Sequence, residues 1–310
     1  MSRLFWPPFM FKMKLKYLLA FLPLLLISCK EEPIPYEVHK VTKSGTVIDC
    51  KGKDFNEGKV TEIRVSSSIK NVTIRNCSLK GSIRVFGLGM NGEDKKVRES
   101  SYKAGHTERA QAAAPSDVLL SNLTIEGVQR IPVYLAPGVT RATIENSKFV
   151  GNTVSTVIYL DAESANNTIR NNTFSVKGNF SLRQFRIREV IAVDGSAYNQ
   201  IIGNKFEEAV GGGVYLYRNC GEGGTVRHQP PQHNVIVGNN FNLTGLYWGN
   251  YGVWLGSRNG NRDYCSADDG YEFGSSVNNG DFADYNIVRG NAFSGSDDTI
   301  RNDGRNNVIN

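Results

Sequence analysis

Two aspartates stand at the same place in two short apolar stretches, Ile158-Tyr159-Leu160-Asp161 and Ile191-Ala192-Val193-Asp194. Three more stretches share their alternation: Pro132-Val133-Tyr134-Leu135-Ala136, Val214-Tyr215-Leu216-Tyr217 and Val253-Trp254-Leu255-Gly256. Aligned without gaps, they place Val133, Ile158, Ile191, Val214 and Val253 in one column and Leu135, Leu160, Val193, Leu216 and Leu255 in another. A period of two with one apolar face is the pattern of a β-strand. The other face then carries Tyr134, Tyr159, Ala192, Tyr215 and Trp254. Beside these run Ala136, Asp161, Asp194, Tyr217 and Gly256, with Glu163, Arg218 and Arg258 just past the strand ends.

On neighbouring strands, ~4.8 Å apart, the carboxylates of Asp161 and Asp194 would repel, and one pKa would rise unless a cation or an arginine intervened. Two chemistries follow. Shared with a calcium ion, the pair would neutralise a carboxylate on a substrate while Tyr217, Arg218 or a loop histidine, His228 or His233, removed the adjacent proton. Sharing protons instead, the pair would act as general acid and general base in an inverting hydrolysis. A structural role is open too, since Asp side chains cap turns of the kind that would follow each strand. The histidines are poor metal ligands, because no third ligand at a recognised spacing accompanies them.

The aromatic column has its own chemistry. Rings stack on the apolar faces of sugars, while carboxylates and guanidinium forks bond hydroxyls or uronates. Tyr134, Tyr159, Tyr215 and Trp254, with Arg258 and Glu163 beside them, therefore suit an extended polysaccharide. The alternative is that the rings only pack on one another or beneath a loop. Two long inserts, 220–233 and 257–269, leave adjacent strands and would wall such a groove.

The elements that position these residues recur along the chain. The phrase Asn167-Thr-Ile169-Arg-Asn-Asn172-Thr-Phe174 returns at Asn199–Phe206, Asn234–Phe241 and Asn286–Phe293. Looser copies end at Phe149 and Leu79, another lies near Ile125, and Asn306-Asn-Val308-Ile-Asn310 begins one more. Each copy reads as a strand, a turn whose Asn or Gly accepts left-handed backbone, and an apolar plug. The spacing between plugs stretches while the phrase stays fixed, as when loops of varying length leave a constant stacked coil. Helical periodicity is absent after the first 28 residues, and 32 glycines suit closely turned strands. This phrase resembles that of the single-stranded right-handed parallel β-helix, the all-β fold of pectate lyases, chondroitinase-B-like lyases, polygalacturonases and alginate epimerases. The polygalacturonase phrases Asn-Thr-Asp, Gly-His-Gly and Arg-Ile-Lys and the epimerase phrase Asp-Pro-His do not occur.

The N-terminal segment reads as targeting. Arg3, Lys12, Lys14 and Lys16 precede an apolar run, Leu18–Ile27, too short for a comfortable membrane span. Its end, Leu26-Ile27-Ser28-Cys29, resembles the lipobox of bacterial lipoproteins, which would lipidate Cys29. Lys30-Glu31-Glu32 is similar to an export tag of surface lipoproteins. Residues 1–28 are thus expected to be a signal peptide, 29–45 a tether and 46–310 the β-helix domain. The remaining chain has 32 basic against 30 acidic residues, so the overall charge of +6 is largely the signal's and gives no case for a nucleic-acid partner. Four cysteines besides Cys29 allow two disulfides outside the cytosol, and proximity suggests Cys50–Cys77 and Cys220–Cys265. Residues 87–116 read as a projecting loop with a short helix. The expectation is a monomeric, lipid-anchored outer-membrane protein that touches the membrane through its anchor alone. It would act on polysaccharide, as a lyase on a uronate-containing glycan, an inverting hydrolase using Asp161 and Asp194, or a non-catalytic glycan binder.

Overall fold

The computed structural model describes residues 35–86, 95–128, 130–180, 187–219, 224–259 and 270–310. Each coil passes through three sheets, and every pairing between described strands is parallel. The repeated phrase spans two of them. Thr168–Arg170, Gln200–Ile202, Val235–Val237 and Ile287–Arg289 stack in the second sheet. The plugs Phe174, Phe206, Phe241 and Phe293 belong to strands of the third. Between the two sits one left-handed residue per coil: Asn146, Asn171, Gly203, Gly238 and Gly290, with φ between 50° and 66°. Asn and Gly tolerate that backbone best, which is why they alternate there.

After the third sheet the chain crosses to the first, which holds the stretches aligned above. Its strands Val133–Leu135, Ile158–Leu160, Ile191–Asp194, Val214–Tyr217 and Val253–Leu255 pair in the expected order and register. Both aliphatic columns are fully buried. The five phenylalanines stack with ring centroids 5.0, 4.9, 4.3 and 5.0 Å apart. Close approach of the sheets explains one glycine of the run 211–213. A Cβ on Gly213 would lie 2.4 Å from the ring of Phe241 and from the Gly252 carbonyl.

The two asparagines of the phrase are more than turn formers. Asn172, Asn204, Asn239 and Asn291 form a buried ladder, each side-chain carbonyl accepting the backbone N–H of the coil before it at 2.9–3.0 Å. Asn167, Asn199, Asn234 and Asn286 form a second at the other end of the same strands. These bonds satisfy amides that the bend between sheets removes from strand pairing.

Two expectations change. Glu37–Val41, inside the segment read as a tether, is a strand paired with Thr61–Val65. Its almost wholly exposed, charged face suits an edge strand, where alternation is weak. The stretch read as a projecting loop holds two helices, Lys95–Ser101 and His106–Ala113, built from good helix formers but too short to show periodicity. The helices pack on the coil rather than project from it. Cys50–Cys77 is bonded as proximity suggested; Cys220 and Cys265 lie outside the described residues, as do Cys29 and the signal.

Candidate functional site

The outward columns of the first sheet are in register. Tyr134, Tyr159, Ala192, Tyr215 and Trp254 are successive partners. The row runs on through Arg84, Arg64 and Lys40 at one end and Arg301 at the other. Asp194 pairs with Tyr217 in the next column.

The two columns are joined by a repeated diagonal bond. The Tyr134 hydroxyl donates to Asp161 Oδ2 in the next coil. The Tyr159 hydroxyl donates to Asp194 Oδ2 at 2.6 Å, and Trp254 Nε1 to Asp303 Oδ2 at 2.8 Å. The remaining carboxylate oxygens are also engaged. Asp161 Oδ1 accepts the Ala162 N–H at 2.8 Å and lies 3.3 Å from Arg227 Nη1. Asp194 accepts the backbone and side-chain N–H groups of Asn219 at 2.7 and 2.6 Å. Tyr217 turns to a separate group: it donates to Glu189 at 3.2 Å, accepts from Arg188 at 2.9 Å and lies 4.0 Å beneath the Arg258 guanidinium.

The expected open groove is covered along most of this length. Tyr134, Tyr215, Tyr217, Asp161 and Asp194 are all at most 3% exposed; Tyr159 and Trp254 are partly open. Asn219 covers Asp194, Arg258 covers Tyr217, and the insert 224–229 reaches over Asp161 through Arg227. Glu163 anchors that insert. This carboxylate accepts the N–H groups of His228 at 2.7 Å and Gln229 at 3.1 Å and the hydroxyl of Thr107, while Gln111 donates to its backbone carbonyl at 2.9 Å. Glu163 is therefore a buried fastener between the coil, the insert and the helix His106–Ala113, and does not face a ligand. His228 faces away from the aspartates: its Nε2 lies 2.9 Å from the Ser101 carbonyl, and its ring packs on His106 and Phe273. Arg218 also leaves the group, donating to the carbonyls of Asn278 and Gly280 over the Phe282 ring. His233 stacks between the exposed rings of Tyr198 and Tyr285 at 4.9 and 5.4 Å, at the turn that leads into the second sheet and not beside the aspartates. Arg258 does join the site, bonding Asn219 as well as covering Tyr217.

Burial sets the proton affinities. It pushes the Asp161 carboxyl up to about 6; Arg227 and the Tyr134 hydroxyl pull the other way, and the charge of Asp194 adds to the rise. Burial also raises the hydroxyls of Tyr159 and Tyr217, against the nearby Arg258. A tyrosine so raised stays protonated, which removes Tyr217 as a general base near neutral pH.

A shared calcium ion does not fit Asp161 and Asp194. Calcium takes about six to eight oxygen ligands, whereas these carboxylates are already occupied by Tyr134, Tyr159, Asn219 and Arg227. Among the described residues no group of three or more His, Cys, Asp or Glu could hold a metal ion. No helix among them is long and apolar enough to cross a membrane.

Four contributors escape the strand alignment: Arg188, Glu189, Asn219 and Arg227. All lie outside the strand stretches, and only Arg227, in an insert rich in polar residues, stood near a sequence signal. Of the aligned residues, the fold brings Tyr134, Tyr159, Asp161, Asp194, Tyr215, Tyr217, Trp254 and Arg258 to one face.

Of the comparisons with known proteins, the family model agrees with this architecture. A solved alginate lyase from Paenibacillus sp. strain FPU-7 aligns over 88% of this chain and 92% of its own at 11% identity and a TM-score of 0.41, too loosely to carry a site across. No curated protein sequence matches. The family model described as a right-handed β-helix region matches residues 38–186 and 116–262. With most of its length matched and three parallel sheets wound coil on coil, the chain belongs to the right-handed parallel β-helix family.

Proposed function

We propose that the protein acts on polysaccharide, with the glycan lying across the strands of the first sheet. The observation that carries this reading is the unbroken outward row Lys40, Arg64, Arg84, Tyr134, Tyr159, Ala192, Tyr215, Trp254 and Arg301, cations at its ends and rings between. Its open members offer stacking faces at Tyr159 and Trp254 and charge-assisted bonds at the flanking cations. The reaction we assign is β-elimination on a uronate-containing glycan. Asp161, titrating near neutrality, is the acceptor and the part-open Tyr159 the donor toward the leaving oxygen, and each must first leave its present partners, Tyr134 and Arg227 for Asp161 and Asp194 for Tyr159. Inverting hydrolysis is less well supported, because it needs both carboxyl groups released from their tyrosines, whereas elimination needs Asp161 alone.

A second reading, glycan binding without turnover, is favoured by one observation: Asp161 and Asp194 are buried under Arg227 and Asn219. In either case we propose attachment to the outer membrane through lipid on Cys29, with the protein a monomer. Incubation of the mature protein with uronate and neutral glycans separates the readings. Unsaturated, ultraviolet-absorbing products mean elimination, and new reducing ends without them mean hydrolysis. Binding without either product means a binder, and no interaction with any glycan rejects the proposal.

A further inference from the structure

We infer that the first coils of the same sheet hold an oxyanion-binding site, for a carboxylate or a sulfate, formed by Arg64, Arg84 and Arg130 around Glu62. The glycan context rests on the function proposed above; the site itself stands on its own geometry. Glu62 is buried with a side chain 2% exposed, and all three guanidinium groups converge on it. Arg64 Nε bonds Glu62 Oε1, while Arg84 Nε and Arg130 Nη1 reach Oε2 at 3.1 and 2.8 Å. The arginine side chains remain 28%, 13% and 33% exposed, so the carboxylate forms the floor and the cations the open rim.

Charge balance argues that this rim is more than a structural ion pair. One carboxylate needs one guanidinium, and here it has three. Among the described residues Glu62 is the one acid paired with any of them, leaving a local charge of about +2 by unit-charge counting. Arg64 and Arg84 are direct register partners, and exposed Lys40 precedes them in the same column. Like charges opposite each other on adjacent strands weaken a sheet, so local chemistry here runs against stability, as it does at functional sites. The guanidinium planes are also fixed in advance. Arg64 lies over Phe86 at 5.5 Å, Arg84 over Tyr134 at 5.2 Å and Arg130 over Tyr36 at 3.7 Å. Arg64 and Arg84 reach Glu62 through Nε and make no hydrogen bond from their terminal nitrogens to another described residue, which leaves a planar fork matched to a carboxylate or sulfate. Arg84 stands two strands before Tyr159, ~10 Å along the same column. A glycan lying on Tyr159 thus passes over the rim.

Calorimetric titration of the mature protein tests this with an oligogalacturonate, a sulfated chondroitin oligosaccharide and a neutral galactan oligosaccharide, at low and raised salt. The charged sugars should bind at least about tenfold tighter than the neutral one, with the difference shrinking as salt rises. Preference for carboxylate, for sulfate or for both names the anion. Arg84→Gln with Arg130→Gln should weaken charged-sugar binding about 10- to 100-fold, with the neutral sugar little changed; because it takes both cations from Oε2 of the buried Glu62, folding of the variant is checked by circular dichroism before titration. Glu62→Gln, which removes the competing carboxylate, should tighten it; should that variant fail to fold, the arginine variants decide alone. Equal affinity for charged and neutral sugars, or a folded double variant that binds like the wild type, overturns the site. Binding without cleavage would leave this site standing and reject the lyase. Cleavage with an unchanged KM in the double variant would do the reverse.

Discussion

The proton held on Asp161 gives the site a measurable pH signature. An unfolded aspartate titrates at ~3.9, and burial pushes the folded carboxyl up to about 6. Between these values the folded chain holds a proton that the unfolded chain has lost, so this group's contribution to stability falls as pH rises through the window. The difference of about two pH units corresponds to ~3 kcal/mol, fully present below pH ~4 and fully lost above pH ~6. His106 works in the opposite sense: burial lowers its pKa to about 4, and its contribution is lost as pH falls from ~6.5 toward that value. The wild-type curve therefore blends two opposed slopes, and the informative quantity is a difference. Asp161→Asn keeps the shape of the side chain and removes its titration. Losing the charge opposite Arg227 adds an offset, but one that does not vary with pH in this range, since Arg227 stays charged. Urea unfolding of both proteins from pH 4 to 7.5 should show the variant gaining ~3 kcal/mol relative to wild type as pH rises. Parallel curves would mean that Asp161 titrates as in the unfolded chain. A slope of the opposite sign would mean that Arg227 outweighs burial. Either result refutes the electrostatic account of the site.

Three further outcomes follow from the fold. His106→Gln should flatten the loss of stability on acidification between pH ~6.5 and ~4, by up to ~3 kcal/mol, measured by the same unfolding series. Asn204→Ala removes side-chain bonds to the Asn172 N–H, the Asn172 amide and the Ile169 carbonyl, and should cost ~2–4 kcal/mol in urea unfolding. Reduction of Cys50–Cys77, which closes a separation of 27 residues, should cost ~3 kcal/mol by the same assay, and a loss near zero would show that it constrains nothing.

The strand columns were legible because a coil repeats one chemical problem at each turn. Ile169, Ile201, Ile236 and Val288 must all face the same core, so their spacing survives loops of any length. The same logic gave the registry of Tyr134, Tyr159, Tyr215 and Trp254. What could not be read was which outward residues remain outward. Their burial depends on Glu163, Arg227 and Asn219, partners 25 to 66 residues apart whose loops follow no period. The asparagines were visible as a recurring type, yet their ladders exist only once coils stack. Arg64 and Arg84 went unnoticed because the alignment began at Val133, one coil after Arg84 and two after Arg64.

Trp254 offers the most direct test that a glycan lies along the first sheet. With the signal removed only Trp248 and Trp254 remain, and they sit apart in kind: Trp248 is 92% exposed on a turn, whereas Trp254 is partly buried in the outward row. Saturating the protein with an oligogalacturonate should change its tryptophan fluorescence, and that change should persist in Trp248→Phe and vanish in Trp254→Phe. A signal that follows Trp248, or no change with any bound acidic glycan, would place the ligand elsewhere and contradict the account.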